Sequence, residues 1–427
     1  MINDSTIRYL LNFLCSSTIE NNNILVYCRY EEIKPEYHNV IVRSNFFDDN
    51  IYGTHNSIPK LPLLKLLGVP ILYGEPVIEK KKSQTIIKAD LVASTFFLIS
   101  RYEEMVREDC RDKYGRFIGR ESLLYKCGCI DRPIVDEYRE MVDAIVSSDG
   151  SNNLTNKFSN IYLTHDIDVP WEYFNLYTAF KRIVGNILRK EKITTIPISN
   201  ALGFPEKDHR YKFNKLINMD AEISNATSIY FIKGGGKSKP QDYIPYIKAR
   251  AFKKLLEKIK ESGASIGYHV SYEASENSDL IPNEIYAVEK ASGRKINSTR
   301  YHYLHTSSPK DFDELIKNGV TDDFTMGYAD ISGFRLGTSR AVRWISPYSK
   351  KVSKLTMHPL MIMDCSLTDK GYMNLDENSA VSYAKKLILQ VKTYGGEIVL
   401  LWHNNIENIN WNIYHEVLKI IANEVKQ

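Results

Sequence analysis

Apolar positions along the chain change their rhythm about a third of the way in. Before residue 147, the short β-prone runs Ile24–Tyr27 and Val40–Val42 precede two stretches of helical periodicity, Ala89–Arg107 and Arg132–Ile145. Apolar residues recurring every three to four positions mark helices, and short β-branched runs mark strands. The run Ser147–Asn156 carries only turn-forming polar chemistry around one leucine and predicts a boundary. Beyond it, strand-like and helix-like segments alternate. Asn160–Leu163, Ser228–Ile232, Ala264–Val270, Ser298–Leu304, Lys354–Met363 and Glu397–Trp402 read as strands. Arg250–Ser262, Pro282–Ala291, Pro309–Asn318 and Ser379–Tyr394 read as helices, with Gly263, Gly319 and Gly395 as stops. Regular alternation predicts a parallel α/β sheet or barrel over residues 155–427, preceded by an α/β accessory domain over residues 1–150.

Composition narrows the function classes without choosing one. The chain has 427 residues, 43% hydrophobic and 25% charged, which is ordinary for a globular protein with a large core. Its 56 Lys and Arg are nearly matched by 52 Asp and Glu, so nothing points to nucleic acid. No apolar run reaches the roughly 18–20 residues of a membrane span. The first basic residue is Arg8 and Asn12 breaks the apolar stretch, a poor signal peptide, so a cytoplasmic location is expected. Six cysteines without a Cys-x-x-Cys spacing predict free thiols. The 28 tyrosines suit either core packing or stacking against sugar rings. Lys80–Ser83 reads as a solvated hairpin turn, Arg101, Glu103 and Glu104 as a surface or interface ion-pair set, and Lys233–Ser238 as a flexible basic turn rather than a phosphate loop.

The chemistry-bearing residues fall where parallel strands end, the usual place for a site in such folds. Thr164-His-Asp-Ile-Asp168 runs off one strand, His269 off a second, Arg300 and His302 off a third, and His403 off the last. Two aspartates one residue apart point to the same side of a strand and can divide labour. One can bind a divalent metal while its neighbour acts as base toward water there. A histidine is a natural second ligand, and another can protonate a departing amine. Each residue alone has a bland alternative: the aspartates as helix caps, His269 and His403 as satisfied core histidines.

The order of these segments resembles the five motifs of polysaccharide deacetylases, the NodB-homology family or carbohydrate esterase family four. Thr164–Asp168 resembles the Thr-Phe-Asp-Asp motif, His269–Glu273 the His-Ser/Thr-x-x-His motif, and Arg300–Tyr303 the Arg-x-Pro-Tyr motif. Tyr328–Arg335 stands where the fourth motif falls, and Leu401–His403 resembles Leu-x-His. The resemblance covers about residues 158–405 and implies a distorted (β/α) barrel. It implies a metal-dependent hydrolase that removes acetyl groups from N-acetylated sugars of a surface polysaccharide or its precursor, with zinc as cofactor. By that resemblance Asp166 is the general base, His403 the general acid, and Asp168 and His269 metal ligands. Arg300 would orient Asp166, and Asp330 would hold an arginine or the acid histidine. Tyr303, Arg335 and Trp402 are the expected substrate-binding residues. The sequence departs from the family at Glu273, where the last histidine of the second motif belongs. His302 is the favoured third ligand and Glu273 the alternative.

Overall fold

The computed structural model describes residues 2–15, 25–81, 83–146, 155–173, 176–190, 194–242, 246–404 and 408–426. The expected boundary at Ser147–Asn156 lies mostly outside them, as does residue 82 of the Lys80–Ser83 turn. Two main sheets form. The first contains β1 (Val26–Cys28), β2 (Asn39–Val42), β5 (Gly74–Lys81) and β6 (Gln84–Ala89), in the order β1-β2-β6-β5. A small hairpin, β3 (Leu64–Leu66) with β4 (Val69–Ile71), stands beside it.

The second sheet has nine strands: β7 (Asn160–Ile167), β8 (Ala226–Lys233), β9 (Ser265–Val270), β10 (Ser298–Tyr301), β11 (Asp322–Asp323), β12 (Val342–Ile345), β13 (Val352–Met357), β14 (Ile362–Met363) and β15 (Glu397–Leu401). Their order is β12-β13-β11-β10-β9-β8-β7-β15-β14, parallel throughout except for β12. The expected single strand Lys354–Met363 is two, because Pro359 interrupts it; β14 forms one edge of the sheet and β13 is the second strand from the other. His358 N still bonds to Asp323 O beside β13, while Met361 N already bonds to Val399 O beside β14. One bent stretch thus joins the two end regions, and the sheet curls into a distorted barrel.

Other expectations shift for local reasons. Ala89–Arg107 divides into helices Leu91–Ile99 and Tyr102–Val106, since Arg101 takes a left-handed conformation with φ 58°. Leu91–Ile99 is buried on every side, which fits a sequence apolar except for Ser94 and Thr95. Arg101, Glu103 and Glu104 are not on the surface but buried. Arg101 donates to Glu104 and to Thr306 O, and Arg335 of the barrel forks onto Glu104 with bonds of 2.9 and 2.8 Å. Asp136 likewise takes Thr338, Ser339 and Arg340. These buried ion pairs lock the N-terminal region against the barrel, where one continuous apolar core runs through both. The tyrosines are used mainly for packing; Tyr102, Tyr138, Tyr230, Tyr268 and Tyr414 are fully buried. All six cysteines are free thiols.

Candidate active site

Strand register gathers the strand-end residues. Arg300 on β10 lies opposite His269 on β9, which lies opposite Lys233 on β8; Asp166 and Asp168 leave β7 between β8 and β15. Asp168 Oδ1 stands 3.2 Å from His269 Nε2 and 3.1 Å from His302 Nε2. His269 Nδ1 is 2.9 Å from the Arg300 carbonyl, and His302 Nδ1 is 2.9 Å from Asp242 Oδ1. Both acceptors require a hydrogen on Nδ1, which leaves each Nε2 lone pair turned on the same carboxylate oxygen. Three lone-pair-bearing atoms converging in a buried place need protons or a cation between them. Protons there would make imidazolium groups: burial pushes the Asp168 carboxyl up, but their charge and hydrogen bonds outweigh it and hold the carboxyl well below the usual carboxylate range. The donor set of one carboxylate and two imidazoles, all within 4.8 Å of one another, therefore fits a divalent metal, with Asp242 and the Arg300 carbonyl orienting the imidazoles from behind.

Asp166 is adjacent but separately held. Its Oδ1 accepts from Arg300 Nη1 at 3.0 Å, and its Oδ2 lies 3.6 Å from His269 Nε2. Arg300 is itself fixed by Thr164 Oγ1 at 2.7 Å and the Phe324 carbonyl at 3.0 Å, with its guanidinium over the Phe231 ring. His403 approaches from the other side, Nε2 3.6 Å from Asp168 Oδ2. Asp364 at the start of helix Asp364–Thr368 accepts from its backbone N and stands 2.8 Å from its Nδ1. Burial pulls this imidazole down, but the Asp364 charge overrides it and raises the pKa well above the ordinary histidine value. Above these groups opens a cavity of about 1060 Å³, walled by Asp166, Asp168, His302, His403, Tyr303 and Tyr372, with Lys233 and Arg116 on its flanks.

The strand expected to run to Leu304 ends at Tyr301, and the short turn His302–Leu304 carries the second imidazole into the cavity. Tyr303 and Leu304 there have φ of 60° and 52°, conformations that cost non-glycine residues energy and are held by surrounding contacts. One such contact is Arg116 Nη1 to the Tyr303 carbonyl at 3.1 Å.

Four expected residues stand elsewhere. Asp330 accepts from the backbone N of Gly119 and Arg120, tying the N-terminal region to the barrel rather than holding Arg300 or His403. Arg335 is consumed by Glu104 and the Gly327 carbonyl. Trp402 is fully buried, stacked on Tyr414 with Nε1 donating to Asn410 O, and so faces the core rather than the cavity. Glu273 takes the backbone N of Lys237 and Ser238 and is outside the ligand cluster. It thereby orders the glycine loop read as a flexible turn. A Cβ on Gly234 would lie 2.1 Å from Glu284 O, so close packing requires that glycine. Lys233 is buried, its Nζ donating to Asp242 O, and burial lowers its pKa.

Sequence reasoning missed Asp242, Asp364, Lys233 and Arg116. Asp364 follows a strand as the other site residues do, and that position was its available signal. Asp242 and Arg116 lie in loops with no such mark.

Residues 3–150 match the model of a family of unknown function, DUF7033. No curated protein matches the chain. Among solved structures, a provisionally assigned polysaccharide deacetylase from Mycobacterium smegmatis is 13% identical, covers 62% of this chain and 85% of its own, and has a TM-score of 0.41. A family 4 carbohydrate esterase from Streptomyces lividans, in complex with acetate, is 10% identical over 63% of this chain and 90% of its own, with a TM-score of 0.31.

Proposed function

We propose that the protein is a metal-dependent deacetylase of N-acetylated sugars, with a NodB-type barrel and an N-terminal accessory region. The observation that carries this reading is the convergence of His269 Nε2 and His302 Nε2 on one oxygen of Asp168, beside a separately held Asp166. Zinc suits two imidazoles and a carboxylate, and when bound it supplies Lewis acidity toward water and the acetyl carbonyl. Asp166 removes the proton from the attacking water, its carboxylate aimed by the Arg300 hydrogen bond. His403, kept protonated by Asp364, gives a proton to the nitrogen as the C–N bond breaks. An amine leaves poorly as an anion, so the raised pKa of His403 serves an amide better than an ester. Tyr303 and Tyr372 on the cavity wall offer ring faces to a pyranose.

The N-terminal region contributes Arg116 to the wall and no ligand among the described residues. The test is elemental analysis of the purified protein together with acetate release from a panel of N-acetylated sugars. Zinc near one equivalent and acetate release that stops on chelation are expected. Stoichiometric metal without acetate from any sugar would move the reading to another C–N or ester bond.

A further inference from the structure

Between β7 and β8 the chain makes an excursion that the barrel does not need. Helix Leu176–Leu188 begins eight residues beyond Asp168 and packs against helix Ile196–Ala201, whose Asn200 donates to the Glu172 carbonyl just past the carboxyl end of β7. Its amphipathic pattern is inverted. The positions it buries are Ala179 and Asn186, the small and the polar one, while Leu176, Tyr177, Phe180, Ile187 and Leu188 are exposed. At 100° per residue those five fall within one arc of about 120°, with the buried pair outside it. Phe180 is 67% and Leu188 79% exposed. Ile198, Leu202 and Phe204 on and after the second helix are exposed too. Eight of the nineteen large exposed apolar side chains among the described residues thus fall within 29 positions, a concentration monomeric proteins rarely leave bare.

The charges around the arc choose the occupant. Residues 176–190 contain Lys181, Arg182, Arg189 and Lys190 and no acidic residue. Lys181 lies over the Tyr177 ring and Lys254 of helix Arg250–Glu261 over Phe204, so cations rim both ends of the pair. A second copy docked by a two-fold axis would set these cations against their own kind. An apolar stripe with Lys181 and Lys254 at its rim, on a stretch whose described charges are mostly basic, matches an anionic bilayer surface, whose acyl boundary takes the stripe while these long basic side chains reach the headgroups.

We propose that this helix pair docks the protein on anionic membrane, with the cleft side of the barrel turned to the lipid surface. The inference rests on the helix surface and not on the reaction: absence of acetate release would leave it standing, and absence of membrane binding would leave the deacetylase reading standing. The test is sedimentation of the full chain with phosphatidylcholine vesicles, with and without one third phosphatidylglycerol. Binding to the anionic vesicles, weak binding to the neutral ones and release by high salt are expected. Phe180→Glu with Leu188→Glu should lower the bound fraction at least about tenfold, as should Lys181→Glu with Lys254→Glu. All four side chains are exposed, so thermal unfolding should match the parent's. A protein left in the supernatant with both vesicle types, or pelleted equally with and without the substitutions, would overturn the proposal. So would a dimer in solution that the same substitutions dissociate while vesicles bind nothing.

Discussion

Two imidazole–carboxylate clusters stand at opposite ends of the same barrel. At the amino ends of the strands, His358 lies between Glu397 and Asp322, 2.7 Å from one and 3.1 Å from the other, stacked on Phe324. At the carboxyl ends, His269 and His302 meet Asp168. Residue types are the same and both are buried, yet they demand different things. His358 has an acceptor at each nitrogen, so one proton added to the neutral ring, giving two N–H donors, satisfies it. Burial alone would lower its pKa, but the two carboxylates raise it to about 9. His269 and His302 each spend Nδ1 on a fixed acceptor and turn the other nitrogen on a shared oxygen beside an open cavity. On the proposed reading a metal ion completes that end. A histidine cluster becomes a site when its lone pairs outnumber its protons and a cavity admits a cation.

Each prediction is a way to break or sharpen this contrast. His302→Ala should weaken zinc binding by orders of magnitude, measured by competition with a chromogenic chelator; unchanged affinity would erase the distinction between the two ends. Asp166→Asn should keep the metal and lower turnover at least about a hundredfold, since only the base is removed. If acetate release stayed near normal, another group would be the base.

Asp364→Asn removes the charge that raises His403. A general acid must be protonated, so activity falls as pH rises through its pKa. The variant's alkaline limb should therefore move to lower pH, read from kcat against pH. A limb that stayed in place would assign it to another group.

At the other end, His358→Gln should leave metal content unchanged and alter the pH dependence of stability. The folded pKa of about 9 lies above the unfolded value of 6.5. The stabilisation is therefore complete below about pH 6.5 and is lost as pH rises through about 9, an effect on the order of 3 kcal/mol. Urea unfolding across that window should show the decline in the parent and not in the variant. The smallest effect is expected for Glu273→Ala, whose carboxylate bonds to loop amides; zinc affinity should change less than about twofold.

The helix pair between β7 and β8 shows why part of the fold was hidden. Its apolar periodicity is strong, but periodicity predicts an inward face, and here that face is outward. The break at Arg101 was hidden for another reason: Leu91–Ile99 and Tyr102–Val106 read as one helix because nothing in their apolar pattern marks a left-handed residue between them.

By itself the sequence determined the alternation of strands and helices and the gathering of Asp166, Asp168, His269, Arg300 and His403 toward strand ends. Those features depend on covalent neighbours: period two on a strand, period 3.6 on a helix, and stops at glycine. That His302 leaves its strand on a turn was decided by the structure. The structure alone decided which carboxylate serves which imidazole. Asp242 reaches His302 across 60 residues, Asp364 reaches His403 across 39, and Arg335 is drawn 231 residues away to Glu104. It alone brought β13 and β14 toward opposite ends of one sheet. Such pairings are set by the path of the chain through space, and a side chain's nearest charge in three dimensions leaves no mark on its neighbours in sequence.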